Sequence, residues 1–505
     1  MERAAAVHHA FVKARVAVVL LVLAACSRRP PSEHRALEVV VSQDAESIDP
    51  RFVTDAVGMR VSRLVHAGLF RLDSDTLAPI PYLAASYRFV DPLTLDVELR
   101  ADVRFHSGAP FSARDVVATI DALRDETLHA RAAHVVSAIA SVDARGDRAV
   151  TFHLAHAHAT LLTDLEVPIL RADQARDASI DPIALDGLGP FRATRVAVGE
   201  IDLEPAESGA LPRPAHALVV RTVHDENARA LRLIGGETDV APQDIAPSLL
   251  PSLESRGLRV ASRAGANLVY VLFRTDRGPF ADRDARRAFG LAIDRARIVK
   301  FMLDDRARLA TGLLPEGHWA YTKRDVVSRE GARDAQKARE FLHGMHVKCT
   351  LLGSTDRLRV AIARVVAQDL ADVGIDAEIV PLELGTLLAR LNAGDFDAAI
   401  LQIPELVEPN TLRVFLHSAS LPPLGANRAR VRDAIVDAAL SDGDATLDLS
   451  ARRAAYTKLE DRVLDQAYWI PLWHEDAIAV TSATSAAKDF TPSAEGRWLS
   501  LATLR

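Results

Sequence analysis

Leu358, Ile362, Val366, Leu370 and Val373 follow one another at steps of four, four, four and three, which sets them on one apolar stripe of a helix. Gly374 comes next, a residue suited to the left-handed conformation in which many helices end. Ile375–Val380 then alternates apolar and polar positions as a strand does, Leu384–Leu391 has helical spacing and stops before Gly394, and Phe396–Leu401 is a further strand. Val347–Leu352, just upstream, is also strand-like. Alternation of this kind predicts an α/β fold. Nearer the amino terminus, Leu37–Ser42 reads as a strand, Asp55–Ala67 as a helix ended by Gly68, and Leu95–Leu99 as a half-exposed strand. Ser112 and Asp115 have the spacing of a capping box ahead of a helix through Ile120 and Leu123.

Ahead of this pattern lies an apolar run from Val16 to Leu23, preceded by Arg3, Lys13 and Arg15 and followed by small residues, the make-up of an export signal. The run falls well short of the ~20 residues needed to cross a bilayer. Leu23-Ala24-Ala25-Cys26 resembles the lipobox of bacterial lipoproteins, which implies cleavage after residue 25 and diacylation of the Cys26 thiol. Residues 26–36 are polar and proline-rich and read as a tether. The mature chain is therefore expected on the periplasmic or cell-surface side of a bacterial membrane, held there by lipid.

The remaining length exceeds the ~250–300 residues at which one core stops growing, so at least two lobes are expected. Formal charge is −7, and loss of residues 1–25 removes three basic residues and one acid, leaving −9. A mildly acidic surface without clustered positive charge speaks against nucleic acid. Cysteine is confined to Cys26 and Cys349, so the mature chain has no intramolecular disulfide, and Cys349 reads as a buried, inert thiol.

Several segments together resemble the bacterial extracellular solute-binding proteins of the oligopeptide, dipeptide and nickel class. They are Ser47–Pro50 with Leu64–Phe70, Leu83–Tyr87, Leu99–Gly108 with Phe111–Val116, Gly187–Phe191, Ile234–Asp239, Gly278–Arg295 and Tyr468–Leu472, in that order along the chain. The resemblance implies a bilobed, hinged periplasmic-binding-protein fold that closes on a ligand. Lobe I would comprise 37–270 and 478–505, with an extra subdomain at about 75–185, and lobe II 271–477. Chain crossings are expected near 265–275 and 475–480. The resemblance further implies a monomer that hands a small solute to an ATP-driven permease. A sensor presenting its closed form to a signalling receptor, or a hydrolase on the same fold, are the other readings.

In open α/β sheets ligands bind beyond the carboxyl ends of strands. The strand Phe396–Leu401 runs into the polar segment Gln402–Asn410, which Pro404 removes from the sheet. In peptide-binding relatives this segment carries a tryptophan and, three residues later, an aspartate that pairs with the ligand's ammonium. Gln402 stands at the tryptophan position and Glu405 at the aspartate position, so Glu405 either meets an amine or is a solvated loop acid. Trp319 lies where the family places ligand-facing aromatics. Gln43 and Asp44 end the first strand and are expected to face the same crevice. Arg274 follows the strand Leu268–Phe273 at a crossing, and its guanidinium suits a ligand carboxylate or an inter-lobe salt bridge. Trp469 and Trp473 are expected to pack in the core near the hinge.

His153, His156 and His158 would lie on a polar edge strand, His153 and His156 on opposite faces, and no metal or other cofactor is called for. The chain has no Gly-x-Ser-x-Gly elbow and no glycine-rich loop ending in Gly-Lys. Ile478 stands where a zinc helix beginning at His474-Glu475 would need its second histidine. No enzyme is expected.

Overall fold

A computed structural model describes residues 35–243, 245–323 and 333–505. Cys26, the expected signal segment and most of the expected tether lie outside them. No helix among the described residues is long and apolar enough to cross a membrane.

The strand Trp469–Ser482 organises the main sheet. On one side of it stand Leu268–Phe273, Ala398–Ile403, Val347–Ser354 and Ile375–Leu382; on the other stand Val240–Pro242, Leu37–Val41, Leu218–Thr222, Glu200–Pro205 and Phe191–Ala197. Its first half pairs antiparallel with Leu268–Phe273 and Ala307–Leu309, its second half with Leu258–Ala264 and Val240–Pro242. Every residue of Leu268–Phe273 is buried. The period of two sorts them into two cores: Val269, Val271 and Phe273 into one, Leu268, Tyr270 and Leu272 into the other. Trp473 belongs to the first core and Trp469 to the second. The helix Arg357–Ala371 lays Ile362, Val366 and Leu370 into the first, with Gly374 at φ 98° behind it.

A separate four-stranded antiparallel sheet, Ala84–Asp91, Thr94–Leu99, Ala149–Leu154 and Ile139–Ala144 in that order, has its own core with the helix Ala113–Arg124. At the start of that helix the Asp115 carboxylate accepts from the Ser112 N–H and hydroxyl, both at 2.9 Å. The expectation of a histidine-bearing edge strand is corrected here. Ala149–Leu154 is an interior strand, paired on both sides, and all its residues but His153 are buried. His153 reaches Asp143 and His158 reaches Asp164, and no group of metal-ligating side chains occurs among the described residues. Cys349 is buried, and desolvation pushes its thiol up to about 12.

The chain passes between the two halves of the main sheet twice, at Gly265–Asn267 and at His474–Asp476. The passages are clipped together. The Asn267 amide donates to the Glu475 carbonyl at 2.7 Å and accepts from the Glu475 N–H at 2.8 Å, and Gly265 N–H also donates to the Glu475 carbonyl. A Cβ on Gly265 would stand 2.4 Å from both that carbonyl oxygen and the Asn267 amide nitrogen.

Candidate functional site

Beside these passages, a cavity of about 310 Å³ is enclosed by four pieces of chain: the helix Ala56–Val65, the hairpin from Phe70 to Tyr82, the segment Glu166–Pro168 and the carboxyl-terminal tail. The helix starts on Asp55, whose side chain accepts from Gly58 N–H, and buries Val57, Val61 and Leu64. That burial turns Arg60 and Arg63 to the cavity. The tail brings Glu495, Arg497 and Trp498 to it. Arg497 and Glu166 form an ion pair, which Arg63 joins at 3.6 Å. Desolvation lowers the Arg63 pKa, with Arg497 adding to the effect, while Glu166 and then Glu405 oppose it. Burial likewise lifts the Glu495 carboxyl against the pull of Arg497, and it drops His66 to about 3.

Glu405 is exposed and does not line the cavity; its charge only opposes, after that of Glu166, the lowering of the Arg63 pKa. The other expected residues fall in different places. Gln402 is next to Val269 in register and contacts Arg359 and Glu475, at 3.1 and 3.2 Å, while Arg359 grips the Glu475 carboxylate with both terminal nitrogens. Trp319 is buried under the Arg452 guanidinium, 4.8 Å from its ring, and its backbone N–H donates to the Thr76 carbonyl at 3.0 Å. Asn410 sits in a short 3-10 turn. Gln43 and Asp44 lie just past the first strand, which ends at Val41, and the Asp44 carboxyl is held below its usual range by Thr222 and by Gly199 N–H, 2.8 Å away. Arg274 lies at the far end of its strand from the passage at Gly265–Asn267. Its guanidinium is taken by Asp276 and by the Gly394 carbonyl, at 2.6 Å, so the expected position at a crossing is corrected.

A second set of contacts joins elements from the two sides of the crevice. Thr163, beyond the four-stranded sheet, donates its hydroxyl at 2.8 Å to Glu408, whose other oxygen accepts from Arg452 at 2.9 Å. Burial lifts the Glu408 pKa despite Arg452 and Thr163. Arg63, Glu166, Glu408, Glu475, Glu495 and Arg497 were not singled out from the sequence. Each is an ordinary charged residue in its own segment, and only long-range packing turns it inward.

Two half-sheets joined by clipped crossings, and linked again by the buried contacts of Glu408 with Thr163 and Arg452, have the form of a bilobed binding protein. The chain belongs to the bacterial extracellular solute-binding proteins, family 5, whose middle-region model matches residues 78–409. Among its relatives, the probable di/tripeptide-binding protein 5 of Pseudomonas aeruginosa is 26% identical over 456 residues, 82% of this chain and 85% of that one. The fold is shared with the substrate-binding protein CtaP of Listeria monocytogenes (TM-score 0.82, 21% identity, 94% of this chain and 99% of that one). It is shared also with NikA of Brucella suis, solved with Fe(III)-EDTA (TM-score 0.80, 22% identity, 93% and 99%).

Proposed function

We propose that the protein is a lipid-anchored extracytoplasmic receptor that takes a small, amine-bearing, peptide-like solute between its lobes and delivers it to an ATP-driven permease. Lobe I comprises 37–270 and 478–505, with a subdomain at about 75–185; lobe II is 271–477; Cys26 carries the lipid and residues 26–36 the tether. The observation that carries the ligand reading is the influence of the Glu405 charge on Arg63, a half-buried arginine of the cavity wall. An exposed acid there suits the ammonium of a solute that enters the neighbouring cavity, whose volume is at the lower end of the ~300–1,000 Å³ that small ligands occupy. The name of the Pseudomonas relative, a di/tripeptide-binding protein, points the same way. Gln402, engaged with Arg359 and Glu475, supplies no apolar wall, which favours a short ligand.

The test is Glu405→Gln, which keeps the side chain's size and removes its charge. A charge-assisted contact in an enclosed site contributes about 1.5–3 kcal/mol, so affinity for the co-purified solute, identified by native mass spectrometry, should fall roughly 10–100-fold. Equal affinity of the two proteins for an amine-bearing solute would refute the assignment.

A further inference from the structure

The tether of residues 26–36 leads into the strand that begins at Leu37, and the main sheet gathers other segment ends at that same rim. Leu37 pairs in parallel with Leu218 and Val39 with Val240, while the strand Trp469–Ser482 finishes beside them, Thr481 opposite Val240 and Ser482 opposite Leu258. From the crossing at Asp476 to Ser482 that strand covers about 20 Å, so the rim is the pole of this half-sheet turned away from the other. The helix Glu226–Gly235 also ends there, where Arg232 meets Glu38. Its Ala230 and Leu233 pack in a core with Val40 and Val480, whereas Leu231 and Ile234, three positions apart on the outer face, are 66% and 40% exposed. The chain as a whole is acidic, but this pole carries unpaired cations. Arg256, Arg259 and Lys488 are exposed and form no ion pair among the described residues. Arg256 donates to the Ser252 carbonyl at 3.0 Å, and Arg259 to the Lys488 and Phe490 carbonyls at 2.8 and 2.9 Å. Of the acids nearby, Glu38 and Glu237 are held by Arg232 at 2.6 and 2.8 Å and Glu254 by Arg306 at 2.8 Å, which leaves the exposed Asp489. In the adjoining sequence Arg28, Arg29 and Arg35 outnumber Glu33.

We propose that this pole rests on an anionic phospholipid surface, with Arg256, Arg259 and Lys488 over the phosphodiester headgroups and Leu231 and Ile234 entering the interface. The proposal rests on the reading of Cys26 as the lipid-bearing residue. Residues 26–36 reach no more than about 40 Å when fully extended, so a lipid on Cys26 keeps Leu37 and the rim around it within that distance of the bilayer. There each nearby cation adds to the attraction toward anionic headgroups, and an apolar pair on one helix face adds buried area. The rest of an acidic molecule is repelled by the same surface, so the positive pole also decides which way the molecule stands. The crossings and the crevice are then held away from the bilayer.

The test uses the mature chain, residues 26–505, with Cys26→Ser, so that a lipid anchor does not mask the weaker contact. It is co-sedimented with vesicles of phosphatidylglycerol and phosphatidylethanolamine, and with vesicles of phosphatidylcholine alone. Binding to the anionic vesicles should be roughly 10–100-fold the stronger and should weaken as salt rises. Arg256→Gln with Lys488→Gln should lose that preference. Leu231→Ser with Ile234→Ser should weaken binding several-fold and leave its salt dependence in place. All four positions are exposed, and unchanged melting midpoints verify that the variants fold. Equal binding to both kinds of vesicle, or a preference that the Arg256 and Lys488 pair of substitutions leaves intact, would overturn the proposal. Loss of a dimer in Leu231→Ser with Ile234→Ser, with vesicle binding unchanged, would assign the face to a second copy and overturn it as well. The anchor is read separately, on the unsubstituted chain in cell membranes. Its extraction by high salt would overturn the anchor reading, whereas retention in salt together with equal vesicle binding would overturn the resting surface alone.

Discussion

Thr163→Val isolates the bond between the four-stranded subdomain and the far side of the crevice. Valine keeps the shape of threonine and removes the hydroxyl that Glu408 accepts at 2.8 Å. Glu408 is 7% exposed, so the lost donor is not replaced by bulk water in the closed form. In an open form both groups would be hydrated, and the substitution would cost little there. The whole loss therefore falls on closure. A hydrogen bond to a buried carboxylate contributes about 1.5–3 kcal/mol, which shifts the open–closed equilibrium by roughly 10–150-fold. If the open form dominates without solute, apparent affinity drops by that same factor. Titration calorimetry with the co-purified solute measures it, and small-angle scattering should show a larger radius of gyration at matched sub-saturating solute. Thr163→Ser, which retains the hydroxyl, should behave as the unsubstituted protein. Affinity of Thr163→Val within twofold of the parent would refute the reasoning, since it would mean that Glu408 is satisfied by Arg452 alone.

Three further outcomes are expected. Burial lowers His66 to about 3 and His318 and His474 to about 4, so the unfolded chain binds more protons than the folded one below their ordinary value. Their contribution is complete above about pH 6.5 and is lost as pH falls toward 4; thermal melting midpoints measured between pH 7 and 4.5 should decline, less steeply in His474→Gln. Gly265→Ala forces a Cβ against the Glu475 carbonyl and should destabilise the fold by about 1–3 kcal/mol in denaturant titrations, while Gly353→Ala, with open space around it, should not. Cys26→Ser should release the protein from membranes without changing its melting point; quantitative membrane fractionation of that variant would refute anchoring through this thiol.

Local periodicity made much of the fold legible. The stripe from Leu358 to Leu370, the glycine ends at 374 and 394 and the Ser112–Asp115 cap all describe bonds within one element, and the structure has them. Strand order was not legible, because pairing partners lie far apart in the chain. The alternation around His153 shows a strand but not whether a second neighbour covers its outer side, which Ile139–Ala144 does. Position also misled for Arg274, since a strand has two ends and only one meets the crossing. Glu405 could be proposed because its loop resembles a known segment. Arg63, Glu166 and Arg497 carry no such signal; they meet only because the tail folds back over the first helix.

The strand Trp469–Ser482 has a consequence for the order in which this molecule is made. It completes the sheet on both sides, pairing with Leu268–Phe273 on one and with Val240–Pro242 and Leu258–Ala264 on the other. Neither half can finish its core until that strand arrives, near the end of synthesis. The four-stranded sheet, with its own core, does not wait for that strand, but the two halves of the main sheet do, and contacts of such wide sequence separation form slowly even when the chain is whole. A polypeptide built this way leaves its main sheet unfinished while it lengthens and can complete it only near its end.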